Sequence, residues 1–153
     1  MNRLIVLDSD PTSLADKARG KPDADACHAW ILDLKAAGSD IAVPGIARYE
    51  VRRELIRCGA TAGLARLDRL HPGMAFLPVT DAVMELAAEL WAIVRRAGMP
   101  TAPDLALDGD AILAATALLE APSAGEVIIA TNNVAHLARF PGVDAREWWT
   151  IHS

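Results

Sequence analysis

Oxygen-bearing side chains recur in this chain where apolar segments begin or end. Asp8, Ser9 and Asp10 follow the run Leu4-Ile5-Val6-Leu7. Glu50 sits in the charged stretch Arg48-Tyr49-Glu50-Val51-Arg52-Arg53-Glu54-Leu55. Asp108 and Asp110 lead into Ala111-Ile112-Leu113-Ala114-Ala115, and Thr131-Asn132-Asn133 closes Glu126-Val127-Ile128-Ile129-Ala130. Gathered at one place, several carboxylates and no sulfur suit Mg²⁺ or Mn²⁺. An ion so held acidifies a water and stabilises developing negative charge. Each group also has a plainer reading. Asp10 starts a turn before Pro11, Asp108 is an N-cap, and Asn132 and Asn133 are turn residues. Glu50 belongs to a solvated face and pairs with Arg53. The arginines 48, 52, 53 and 57 either steer phosphates or form a charged solvent face.

The elements decide between these readings. Four apolar residues, two of them β-branched, predict a strand over 3–8 that is buried on both faces. A doubly covered sheet cannot hold an unpaired charge, so Asp8 must emerge at the carboxyl end of that strand. The pattern then predicts a helix over 22–38 and a short strand at Ile41-Ala42-Val43. A second helix follows from Pro44 to Cys58, stopped by Gly59, with Val51, Leu55 and Cys58 as its apolar stripe. A helix over 61–70 ends at His71-Pro72-Gly73. Phe76-Leu77-Pro78-Val79 reads as an edge strand because of its proline. Thr80 or Asp81 caps an amphipathic helix with Val83, Leu86, Ala87, Leu90 and Val94 on one face. A loop over 99–107, a buried helix over 109–121, a strand at 126–130, a helical turn at 133–138 and a strand at 147–151 complete the reading. Strands alternating with helices imply an α/β chain: three α/β/α layers around a mostly parallel sheet of four to five strands, as one domain over 1–153.

Composition narrows the class. The chain has 153 residues, enough for one sizeable core, and a net charge of −5 argues against a protein that coats DNA. No apolar run is long enough to span a bilayer, and the start of the chain does not read as a secretory signal. Cys27 and Cys58 lack metal-ligand spacing and suggest free, mostly buried thiols in a reducing, cytoplasmic setting.

The ordered blocks resemble the PIN-domain family of metal-dependent ribonucleases, in particular VapC-like toxins of bacterial toxin–antitoxin pairs. The resemblance rests on Leu7-Asp8-Ser9, on Glu50-Val51-Arg52-Arg53-Glu54-Leu55, on Asp110-Ala111-Ile112-Leu113-Ala114-Ala115-Thr116-Ala117 and on Thr131-Asn132-Asn133. It implies that Asp8, Glu50 and Asp110 are the catalytic acids and metal ligands. Asp108 or Asp10 stands in for a further acid, because His136 occupies the place where the family often has one. Ser9 and Asn133 would orient ligands or water. Arg52 and Arg53 would meet substrate. The resemblance also implies Mg²⁺ or Mn²⁺ as cofactor, an RNA substrate cut to a 5′-phosphate and a 3′-hydroxyl, a small antitoxin as partner, and a homodimer. His136 is left outside the site. Trp148 and Trp149 read as edge packing.

Two other readings compete. Asp8-Ser9-Asp10-Pro11-Thr12 fits the start of haloacid-dehalogenase-like phosphatases, but no lysine follows Lys35. A degenerate PIN-like module that only docks a partner would also keep the fold. A receiver domain fits less well, since the late strand ends in Thr131.

Overall fold

In the computed structural model, which describes residues 2–69, 73–98 and 104–153, the apolar runs become five strands. These are β1 (Arg3–Leu7), β2 (Asp40–Pro44), β3 (Ala75–Leu77), β4 (Glu126–Thr131) and β5 (Ala145–Glu147). They lie in the order β3-β2-β1-β4-β5, and every neighbouring pair is parallel. Val6, for example, stands beside Ala42 on one side and Ile129 on the other. The edge position expected for the segment at 76–79 holds, but β3 is Ala75–Leu77 and stops short of Pro78.

The helices are α1 (Ser9–Asp16), α2 (Pro22–Ala36), α3 (Gly45–Arg57), α4 (Thr61–Arg69), α5 (Asp81–Arg96), α6 (Asp104–Ala124) and α7 (Val134–Leu137). Successive strand residues point to opposite faces, which divides the core in two. Leu4, Val6, Ala42 and Ile129 pack with Val83, Ala87, Leu90 and Val94 of α5 and with the buried stretch of α6 from Ala111 to Ala117. Ile5, Leu7, Ile41, Val43, Ile128 and Ala130 pack with Cys27, Ile31 and Leu34 of α2 and with Trp148 and Ile151. Both faces are covered, so the three-layer expectation holds, and the sheet is wholly parallel.

Several boundaries differ from expectation, each for a local reason. Helix α1 is absent from the sequence reading because Asp10-Pro11 looks like a turn. Proline is tolerated there because the first amides of a helix need no intrahelical partner. Helix α6 begins at Asp104 rather than 109, so residues 104–107 are helical and not loop. Residues 99–103, with Pro100 and Pro103, lie outside the described residues, as does the stop at His71-Pro72. The last strand is Ala145–Glu147, and Trp148–Thr150 is a 3₁₀ turn instead of its continuation. Cys58 is the exposed C-cap of α3 rather than part of its buried stripe; Gly59 follows with φ +68° and does end the helix. Cys27 is buried, which pushes its thiol up to about 12. Trp148 packs against Trp30 at 5.3 Å between ring centroids, and Trp30 Nε1 donates to the Ile151 carbonyl at 2.8 Å. Among the described residues no helix is long and apolar enough to cross a membrane.

Thr80 is the N-cap of α5: its hydroxyl accepts from the Val83 amide at 3.2 Å. Thr80→Ala should lower the unfolding free energy by about 1 kcal/mol, measured by urea titration, because that amide loses its partner while α5 stays packed.

Candidate functional site

The strand order reverses between β1 and β4: β2 and β3 continue away from β1 on one side, and β5 from β4 on the other. In open parallel sheets the crevice beyond the carboxyl ends at such a reversal is the place for a ligand. Asp8 stands there, directly after β1, and its amide donates to the Ala130 carbonyl at 2.9 Å. It is also the N-cap of α1. Its Oδ1 accepts from the Ser9 amide at 2.7 Å, and its Oδ2 accepts from the Thr131 hydroxyl at 2.7 Å. Thr131, the last residue of β4, is fully buried and its hydroxyl in turn accepts from the Asn133 amide at 2.9 Å. Burial raises the pKa of Asp8, and the bonds from Thr131 and Ser9 oppose that rise.

Glu50 and Asp110 approach from the two neighbouring helices. Glu50 lies in the second turn of α3, and its Oε2 is 3.7 Å from where a Cβ on Gly109 would stand. The Glu50 carboxylate therefore rests against α6, beside Asp110. Asp110 Oδ2 is 3.4 Å from Arg139 Nη2 and 3.8 Å from His136 Nδ1. Burial is the first cause of a raised pKa at both acids. The Asp8 charge raises each further, and the Asp110 charge also raises Glu50. His136 and Arg139 oppose the rise at Asp110, whose carboxyl still stands at about 6. Carboxylates at positions 8, 50 and 110 thus share one electrostatic field on one rim.

The remaining expected residues divide. Asp10, in the first turn of α1, adds its charge to the field at Asp8 and Glu50. Asp108 is exposed and lines a groove with Met84, Ala87, Ala88, Ala111 and Ile112. It is neither a cap, since α6 starts at Asp104, nor among the charges acting on the three acids. Ser9 acts through its amide, and its hydroxyl reaches Asp8 only at 3.5 Å. Asn133 also takes part through its amide, and the residue is exposed. Arg53 lies 3.9 Å from Glu50 and over the Tyr49 ring at 5.2 Å. Arg52 instead joins Arg48 on Asp68 of α4, at 3.2 and 3.0 Å, away from the acids. Three contributors were not expected. The Thr131 hydroxyl was signalled by its place at a strand end. His136 had been set aside, and Arg139, beyond a four-residue helix, left no local signal.

Among the described residues, no three acidic, histidine or cysteine side chains stand close enough to form a ready coordination sphere. The chemistry of the donor set nevertheless fits a hard divalent cation: oxygens only, half-buried, with the Asp8 charge raising the proton affinity of Glu50 and Asp110. Asp8, Glu50 and Asp110 are the residues that would hold it.

The raised carboxyl of Asp110 carries a stability consequence. The folded chain holds its proton up to about pH 6, whereas the unfolded chain releases it near the ordinary 3.8. The folded state therefore loses stability as pH rises through that window, and the full cost persists above it. Asp110→Asn, in chelator at pH 7.5, should be more stable than wild type by about 1–3 kcal/mol. The advantage should vanish below pH 4 in urea titrations; a destabilised variant at pH 7.5 would contradict the electrostatic account.

Comparisons with known proteins agree with this geometry. Residues 12–138 match the model of the PIN domain. No curated protein matches the sequence significantly. Among solved structures, VapBC2 of Rickettsia felis bound to a DNA fragment from its promoter superposes with a TM-score of 0.71 at 16% identity, over 95% of this chain and 98% of that one. DNA-bound VapBC of Salmonella typhimurium gives 0.64 at 18%, over 97% and 99%. VapBC-1 of nontypeable Haemophilus influenzae gives 0.67 at 14%, over 96% and 99%. These likenesses carry the fold, and the family match spans most of the chain. A wholly parallel sheet with acids gathered at its reversal, matched to that model along most of its length, places this chain in the PIN-domain family.

Proposed function

We propose that this chain is a divalent-metal-dependent ribonuclease and the toxin of a toxin–antitoxin pair. One observation carries the reading: acids from three distant segments share a half-buried rim at the reversal of a parallel sheet. Mg²⁺ or Mn²⁺, when bound, supplies acidification of a water and charge stabilisation at the phosphodiester. The chain's own residues do the rest. Thr131 and Ser9 hold both Asp8 oxygens, so that carboxylate is oriented before any ligand arrives. Glu50 and Asp110 bring charge from α3 and α6. Arg53, more than half exposed beside Glu50, is placed to meet a phosphate.

RNA as substrate rests on the family resemblance. The antitoxin partner is supported by the solved neighbours, whose names describe VapBC assemblies. A homodimer is supported by exposed apolar side chains on α3 and α5, among them Tyr49, Ile56, Met84 and Trp91. A cytoplasmic location follows from the same reading. The phosphatase alternative loses ground: Asp8–Thr12 is the capped start of α1, and Thr12 is fully buried.

Wild type should hydrolyse RNA in Mn²⁺, and Asp8→Asn or Asp110→Asn should reduce the rate by more than about a hundredfold, beyond the loss typical of outer-shell partners. Undiminished cleavage by these variants would overturn the assignment. Thr131→Val keeps the shape but removes the hydroxyl, and should cost about 10–100-fold in metal affinity or rate. The binding-only reading draws on the absence of a ready coordination sphere among the described residues. Calorimetric titration with Mn²⁺ separates the two, since a binding-only domain should take up the ion feebly.

A further inference from the structure

We propose that Arg139 is a resident cation of the acidic rim, a positioning residue that holds Asp110 and limits the site to one divalent ion per chain. The proposal rests on reading the rim as a metal site and adds its stoichiometry.

Arg139 is not a surface arginine that happens to lie near an acid. Its side chain is 4% exposed. Its Nε donates to the His136 carbonyl at 2.7 Å, and its guanidinium lies over the Phe140 ring, 5.7 Å from the centroid. Phe140 is itself buried in the core formed with α6. These contacts leave Nη2 facing Asp110 Oδ2 at 3.4 Å. Arginine keeps its charge at any pH a protein tolerates, so this positive group is permanent.

The flank of Asp110 formed by α7 and the residue beyond it is therefore already occupied by a cation. The described groups that face Asp110 there are Arg139 and His136, and neither is an acid. A dication on that flank would meet a fixed positive charge and no carboxylate beyond Asp110. The negative charge lies on the other side, with Asp8 and Glu50, both of which act on Asp110 or feel it. Asp110 is already paired with the buried guanidinium, which leaves the two negative charges of Asp8 and Glu50 for one divalent ion. Asp10 and Arg53 do not alter this count, because both are exposed and solvent screens them.

Mn²⁺ titration of the whole chain, followed by calorimetry and by the paramagnetic signal of free Mn²⁺, tests the proposal. Wild type should bind one ion per chain. Arg139→Met, which keeps the bulk and drops the charge, should bind a second ion or hold the first at least tenfold more tightly. Arg139→Lys should stay at one ion with near wild-type affinity. An unfolding curve for each variant reports whether it is folded. Two ions per chain in wild type would overturn the proposal whether or not the variants fold. So would Arg139→Met behaving as wild type, or a second ion in Arg139→Lys. Failure of the underlying metal reading looks different: wild type would then bind no Mn²⁺, which overturns both.

Discussion

The site depends on one carboxylate being held at the end of a buried strand. Asp8 follows four residues that are nearly inaccessible to solvent, and its charge would be intolerable one position earlier. Three structures converge to make it tolerable: the first amide of α1, the hydroxyl at the end of β4, and the crevice left where the strand order reverses. Each bond answers a separate structural need. Capping α1 satisfies an orphan helix amide, and the bond from Thr131 satisfies a hydroxyl in the core. The same two bonds fix both Asp8 oxygens. Stability and preorganisation are here one set of hydrogen bonds.

The other acids are tolerated on different terms. Among the described residues no amide or hydroxyl donates to Glu50 or Asp110, and burial together with their neighbours' charge raises their proton affinity. Nearby groups partly offset this, exposed Arg53 at Glu50, and His136 followed by buried Arg139 at Asp110. The rim is a cluster whose charge is disfavoured by the fold alone, and a divalent cation would convert that cost into binding energy. A protein selected for stability alone would not gather these groups.

How much of this was legible in the sequence follows from how local each signal is. The apolar runs gave the four inner and edge strands through β4 nearly in place, and Asp8 was placed by the argument that a buried strand excludes charge. The Thr80 cap and the apolar stripe of α5 were equally local. Helix α1 was hidden because a proline in a first helical turn and a proline in a β-turn look alike along the chain. Cys58 was misplaced because helical periodicity does not announce the turn at which a helix stops being covered. Thr131 was marked only by its place at a strand end, its bond to Asp8 was not legible, and Arg139 left no signal. Both roles arise from contacts across 123 and 29 positions, which no local pattern encodes.

Asp108 and Asp110 show most clearly why an element's start matters. Two positions on a helix differ by about 200° around its axis, so both cannot face one rim. Read with a helix beginning at 109, Asp108 serves either as its N-cap or as a further acid beside Asp110. With α6 beginning at Asp104, the register is set by Leu107, Ala111 and Ala114 in the core. Asp108 then falls toward the groove beside Met84 and Ala88, while Asp110 turns to His136 and Arg139. Gly109 between them carries no side chain, and the Glu50 carboxylate stands in ordinary contact, 3.7–3.9 Å, with the place a Cβ would take. The choice of acid is therefore made by core packing one turn on either side.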